Sequence, residues 1–150
     1  MGFAGCFRVG RYGSGSIIMK DLTLAIDLGG TFTKLALVNR DLHIVADMSV
    51  PTHAERGPEP NLNDWMEKLN PWLSQNEVKA VGMGIPGPLD ADRGIILESP
   101  NLKKWELFSF TQYIQKKLNL PCFIENDANC AALGEWSQQR VSDLVVLTLG

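Results

Sequence analysis

The amino-acid sequence predicts an α/β fold built on a mixed sheet: three antiparallel strands, then helix-linked parallel strands, all covered by helices. Three observations predict it. From Leu22 to Val50 three strand-like runs follow one another, joined by turns too short for a crossover. Beyond Pro51 the apolar period changes to that of a helix, and strand and helix patterns then alternate. Three of the strand-like runs pass directly into polar or glycine-rich loops, the place where ligands collect in open α/β sheets.

The first strand, "LTLAID", is rich in aliphatic residues and runs to the turn signal Gly29-Gly30; "FTKLALV" follows as its antiparallel partner. "NRDL" turns the chain into "HIVADMSV", a third strand of alternating apolar and polar positions. After the loop "PTHAERGPEPN", Leu62, Trp65, Met66, Leu69, Trp72 and Leu73 share one helical face, so the tryptophans and Met66 are expected in the core. Pro71 lacks a backbone donor and predicts a kink or break near Asn70. "VKAVGMG" is a buried strand leading into "IPGPLDADRG", "IILES" is a short strand, and "PNLKKWELF" is irregular. Ser109 and Gln112 have capping-box spacing and open a helix through Leu118. "LPCFIE" is the next strand, "NDANCAALGEWSQQ" the helix directly after it, and "DLVVLTLG" begins one more strand.

The 150 residues fit one ordinary domain, 45% hydrophobic and 21% charged. A net charge of -3 leaves no basic excess for nucleic acid or anionic membrane. No apolar run approaches the roughly 18 residues of a membrane span. Neither partner is therefore expected. Cys6, Cys122 and Cys130 are odd in number and lack metal-ligand spacing, which points to a reduced, cytoplasmic setting. Residues 1–18 are dense in glycine and without period. They are expected to be a disordered leader or upstream extension, with Met19 as a candidate start.

Three segments carry candidate chemistry. In "DLGGTFTK", Gly29 and Gly30 allow close backbone approach to phosphate oxygens, Thr31 and Thr33 offer hydroxyls, and Lys34 offers charge. Asp27 could hold a hydrated magnesium ion; the bland reading is a hairpin turn and nothing more. In "ENDANCAALGEW", Asn126-Asp127 stands where a strand ends and a helix begins, which an N-cap alone would explain. With Glu125 the cluster holds more polar groups than one cap needs. A carboxylate there could accept the proton of an attacking alcohol, while Asn126 orients neighbouring hydroxyls. Ala128, Ala131 and Ala132 keep the first helical turns slim. Asn101 in "ESPNLKKW" is a second amide able to bond a polyol, or merely part of a Pro-Asn turn. "GIPGP" can contact a ligand through its backbone or serve only as an exit from a strand. His43 and His53 lie near no ligand motif and are expected at the surface.

Together, "AIDLGGTFTK", "GIPGPLDADRGIILESPNL" and "LPCFIENDANCAALGEW" resemble the ROK family (repressors, open reading frames, sugar kinases) within the actin/hexokinase-like, ribonuclease H-like ATPases. The similarity runs from about Lys20 to Gly150, with the motifs in family order. The resemblance implies a kinase that moves the γ-phosphoryl of ATP, with Mg2+, to a hexose, and the bacterial glucokinase branch is the nearest fit. It implies Asp127 as catalytic base, with Asn126, Asn101 and Gly87 contacting the sugar. Asp27, Gly29, Gly30 and Thr31 match the first phosphate loop. It further implies that residues 19–142 are the first of two lobes, that 143–150 begin the second, and that the whole protein is a homodimer. A second phosphate loop, the adenosine pocket and a structural zinc site belong to that second lobe, so this chain alone should be nearly inactive. Related members that sense sugar and act on DNA carry an N-terminal helix-turn-helix; with 18 residues ahead of the fold here, a sugar-sensing regulator without its DNA-binding domain ranks below the kinase as the alternative expectation. A structural actin-fold ATPase would have no need of the polyol-side motifs.

Overall fold

The computed structural model describes residues 19–139 and 141–147, so the expected leader lies outside the described residues. Five strands form one sheet: β1 (Leu22–Leu28), β2 (Phe32–Val38), β3 (Ile44–Pro51), β4 (Val78–Ile85) and, after a two-strand hairpin of β5 (Leu89–Asp90) and β6 (Ile95–Ile96), β7 (Cys122–Asn126). The helices are α1 (Pro58–Gln75), α2 (Phe110–Leu118) and α3 (Asp127–Gln139). The sheet order is β3-β2-β1-β4-β7. β1, β2 and β3 pair antiparallel, whereas β4 joins β1, and β7 joins β4, in parallel. The predicted mixed sheet is thus present.

Alternation decides which face is covered. Leu22, Leu24, Ile26 and Leu28 of β1, Leu35 and Leu37 of β2, Val81, Met83 and Ile85 of β4, and Cys122 and Ile124 of β7 all turn into one core. Leu62, Trp65 and Leu69 of α1 and Phe110 and Ile114 of α2 close that core from the same side. Gly84 is out of phase with Met83 and Ile85, and a Cβ there would lie 3.6 Å from Cys130 Sγ, so α3 crosses the opposite face. α3 itself buries no residue fully.

Several local expectations are corrected. α1 begins at Pro58, inside the segment expected to be loop, because proline at the first helical position sacrifices only an orphan donor. Of the kink or break expected near Asn70, the break is absent, since the helix continues past Pro71: Pro71 and Glu67, whose carbonyl loses its partner, are both exposed, so water can replace the missing bond. Ser109 does precede α2, but its hydroxyl donates to Arg93 O at 3.2 Å rather than capping the helix. "IILES" contributes only Ile95–Ile96, and the irregular stretch contains a short 3-10 turn at Lys103–Trp105. Asp143–Leu147 are in neither helix nor strand, with Val145 and Leu147 exposed at 84% and 82%. No described strand pairs with them, and the last three residues of that expected strand lie outside the described residues.

Candidate functional site at three parallel strand ends

β1, β4 and β7 are parallel neighbours, so their C-terminal ends emerge on one side of the sheet. Register aligns them: Asp27 stands opposite Gly84, and Gly84 opposite Glu125. One strand spacing is about 4.8 Å, so the row from Asp27 to Glu125 spans about 10 Å. The next row sets Ile85 beside Asn126, immediately before Asp127. Three segments separated by up to a hundred positions therefore meet at one edge.

The β1–β2 hairpin closes through Gly29, Gly30 and Thr31. A Cβ on Gly29 would sit 2.4 Å from Phe32 O, so the turn tolerates no side chain there. A Cβ on Gly30 would lie 3.6 Å from Asn101 Cβ, which places Asn101 directly beside the hairpin turn. Thr31 is exposed, and its carbonyl accepts from Thr52 N at 2.8 Å. Lys34 faces Asp27 across the hairpin with Nζ 3.4 Å from Oδ2, an exposed pair weakened by solvent. Thr33 leaves the expected set. It is fully buried, and its hydroxyl lies 2.6 Å from that of Thr52, because it shares the strand parity of core Leu35 and Leu37.

At the other end, Asn126 Oδ1 accepts from Ala128 N at 3.0 Å and Asn129 N at 3.2 Å, capping α3. Its Nδ2 donates to Gly87 O at 3.2 Å, so two predicted sugar-side residues are in direct contact. Gly87 has φ +89, and a Cβ there would lie 2.8 Å from Glu98 O. Asp127 is half-buried at the first position of α3, where Oδ1 accepts from Ala128 N at 2.9 Å. Glu125 Oε1 accepts from Asn126 N at 2.8 Å and Asn129 Nδ2 at 3.0 Å. These bonds to the ionised form hold the Glu125 carboxyl below its usual range.

The residues fit a phosphate-bearing ligand with a water-held cation. Asp27 is an exposed carboxylate suited to magnesium through water, and the Gly29-Gly30 turn has no bulk to keep phosphate oxygens away. Among the described residues no group of three or more His, Cys, Asp or Glu is placed to hold a metal directly. A cavity of about 790 Å³ lies between α2 and β7, lined by Arg93, Ser109, Gln112 and Phe123, but none of the candidate residues lines it. His43 and His53 are exposed. No sequence motif marks Asn129 as a site residue, and Cys130 enters the sequence pattern only through the cysteine count. Cys130 packs beside Gly84, and burial, followed by the charges of Glu125, Asp127 and Asp27, pushes its thiol up. No helix among the described residues is long and apolar enough to cross a membrane.

A family model described as "ROK family" matches residues 23–150. The glucokinase of Thermotoga maritima is 35% identical over 130 residues, covering 85% of this chain and 41% of that protein. The xylose repressor of Caldicellulosiruptor bescii is 41% identical over 76 residues, 49% of this chain and 19% of the repressor. Among solved structures, a ROK family glucokinase from Streptomyces griseus in complex with glucose and AMPPNP superposes with a TM-score of 0.68. It is 30% identical, with 77% of this chain and 36% of that chain covered. The chain spans about two fifths of the length of the glucokinases it matches, 41% for each of two.

Proposed function

The chain belongs to the ROK family, with the actin/hexokinase-like fold of its sugar kinases, and from that premise we propose that it supplies the hexose- and phosphate-binding wall of an ATP-dependent hexose kinase, with glucose as the preferred sugar. The observation that carries the reading is the row Asp27–Gly84–Glu125. It sets a phosphate-type turn and a polyol-type cluster side by side at one sheet edge, as transfer between two bound substrates requires. Asp127 takes the proton from the attacking hydroxyl; Asn126, Asn101 and the backbone at Gly87 orient the sugar. Gly29, Gly30 and Thr31 receive phosphate oxygens, and Lys34 adds charge at their rim. Asp27 would hold a magnesium ion through water, and that ion would supply neutralisation of phosphate charge. Residues 19–142 act as one lobe of a two-lobed, homodimeric protein, the second lobe bringing the remaining adenosine and sugar contacts.

The test is sugar-dependent ADP release over a hexose panel in the protein that carries this chain. Glucose is expected to give the highest rate, and Asp127→Asn to lower it by about 10²–10⁴-fold, the usual weight of a general base. An Asp127→Asn protein that phosphorylates glucose at the normal rate overturns the assignment. Similarity to the xylose repressor favours a second reading, a sugar-responsive regulator. Glucose binding without ADP release, together with retention of specific DNA, would favour that reading instead.

A further inference from the structure

The junction of β7 and α3 is tied more firmly than a helix cap requires. Asn126 caps α3 through Oδ1, which accepts from both Ala128 N and Asn129 N, and Asp127 Oδ1 also accepts from Ala128 N. Glu125 and Asn129 add a second tie across the same turn: Oε1 of Glu125 accepts from Asn126 N at 2.8 Å and from Asn129 Nδ2 at 3.0 Å. Asn129 thus bonds to both neighbours on the N-terminal side of Asp127, through its backbone to Asn126 and through its side chain to Glu125. Asp127 lies inside this loop of bonds. The third arm, Asn126 Nδ2 to Gly87 O, anchors the loop to the strand end of β4.

We propose that Glu125 and Asn129 are a positioning pair, which sets the course of the backbone through Asp127 and the direction of the Asn126 amide. The inference rests on the kinase reading of Asp127. Neither residue touches the reacting atoms; both act through their neighbours. Two physical points separate this role from ordinary structural support. Glu125 and Asn129 are exposed, and exposed polar pairs add little to global stability, so removing the tie should hardly change the unfolding temperature. A proton acceptor displaced by about 1 Å can instead cost roughly 10²-fold in rate. The tie therefore matters where it orients, not where it stabilises.

The experiment measures kcat, hexose KM and thermal unfolding for wild type, Asn129→Ala, Glu125→Ala, Glu125→Gln and the reversed pair Glu125→Gln/Asn129→Asp, in the protein that carries this chain. Asn129→Ala and Glu125→Ala are expected to lower kcat at least 10-fold, with a smaller change in KM and little change in unfolding temperature. Glu125→Gln keeps an acceptor oxygen and is expected to retain most of kcat. The reversed pair restores a donor facing an acceptor and is expected to recover part of the loss in Asn129→Ala. Unchanged kcat in both alanine variants overturns the pair while leaving the kinase reading intact. A loss of kcat that merely tracks a loss of folded protein overturns it too. Absence of sugar-dependent ADP release in wild type overturns the kinase reading, and the pair's role falls with it.

Discussion

The hydroxyls of Thr33 and Thr52 lie 2.6 Å apart beneath the β1–β2 hairpin, both buried and each the other's partner. Thr33 therefore supports the turn from below instead of offering its hydroxyl to a ligand. Replacing one partner strands the other. Thr33→Val should destabilise the protein by about 1–3 kcal/mol, whereas Thr33→Val/Thr52→Val should recover much of that loss. Urea unfolding of the four proteins in the cycle measures it. Affinity for a non-hydrolysable ATP analogue should be the same in the double variant as in wild type, and a large loss there would return Thr33 to the phosphate loop.

Gly87 is held by its backbone in the left-handed region, at φ +89, with a notional Cβ 2.8 Å from the main chain of Glu98. Gly87→Ala meets both strain and collision, so it should cost about 1–3 kcal/mol. Relief of the clash would move Gly87 O, the acceptor for Asn126 Nδ2. Sugar affinity should accordingly fall along with stability. Thermal unfolding and glucose titration on the same variant check the two effects. Stability lost with sugar affinity intact would remove Gly87 from the sugar side.

The strand order was legible where turns are short, because "LGGT" and "NRDL" permit only antiparallel neighbours. The core faces of β1, β2 and β4 were also legible, since aliphatic residues alternate there. Parity carried further than the motif did: Leu35 and Leu37 already put Thr33 on the buried face, yet its place after Gly-Gly suggested a ligand hydroxyl. What no pattern could supply was contact at long range. The row Asp27–Gly84–Glu125 depends on the order β1-β4-β7, and Asn101 reaches Gly30 only because its loop folds back over the hairpin. Asn129 was hidden for a different reason. Its role lies in side-chain hydrogen bonds to Glu125, and an asparagine in a helical run resembles any other solvated position.

Burial separates the two described cysteines, Cys122 and Cys130. Burial pushes the Cys122 thiol up to about 12. Its unfolded counterpart loses a proton near the ordinary thiol value, so above about pH 9 the unfolded state holds fewer protons than the folded one. Stability should fall as pH rises from there towards 12. Cys122→Ala should remove that part of the fall, as seen by comparing urea midpoints at pH 7 and pH 10 with wild type. In a Cys6→Ser background a thiol reagent should modify exposed Cys130 before buried Cys122. Faster reaction at Cys122 would contradict its burial.

Trp105 holds the Asn101 turn in place from within the core. Its ring is fully buried, 5.9 Å from Trp65 and 6.1 Å from Phe110, and its indole Nε1 donates to Ala54 O at 3.0 Å. Trp105 N bonds Leu102 O at 2.8 Å, and Leu102 N bonds Ser99 O at 3.1 Å, so the chain around Asn101 is wound tightly onto that anchor. Trp105→Phe keeps most of the packing but leaves Ala54 O without the indole donor, and should cost about 1 kcal/mol. Trp105→Ala opens a cavity as well and should cost about 3–5 kcal/mol. Between these lies the functional expectation: Trp105→Phe loosens the Asn101 turn in a protein that still folds. On the proposed reading, in which Asn101 orients the sugar and the turn at residues 29–31 receives the phosphates, its hexose affinity should weaken while ATP-analogue binding holds. Equal weakening of both ligands would mean that Trp105 supports the whole strand-end edge, and equal retention would place Asn101 outside the sugar contacts.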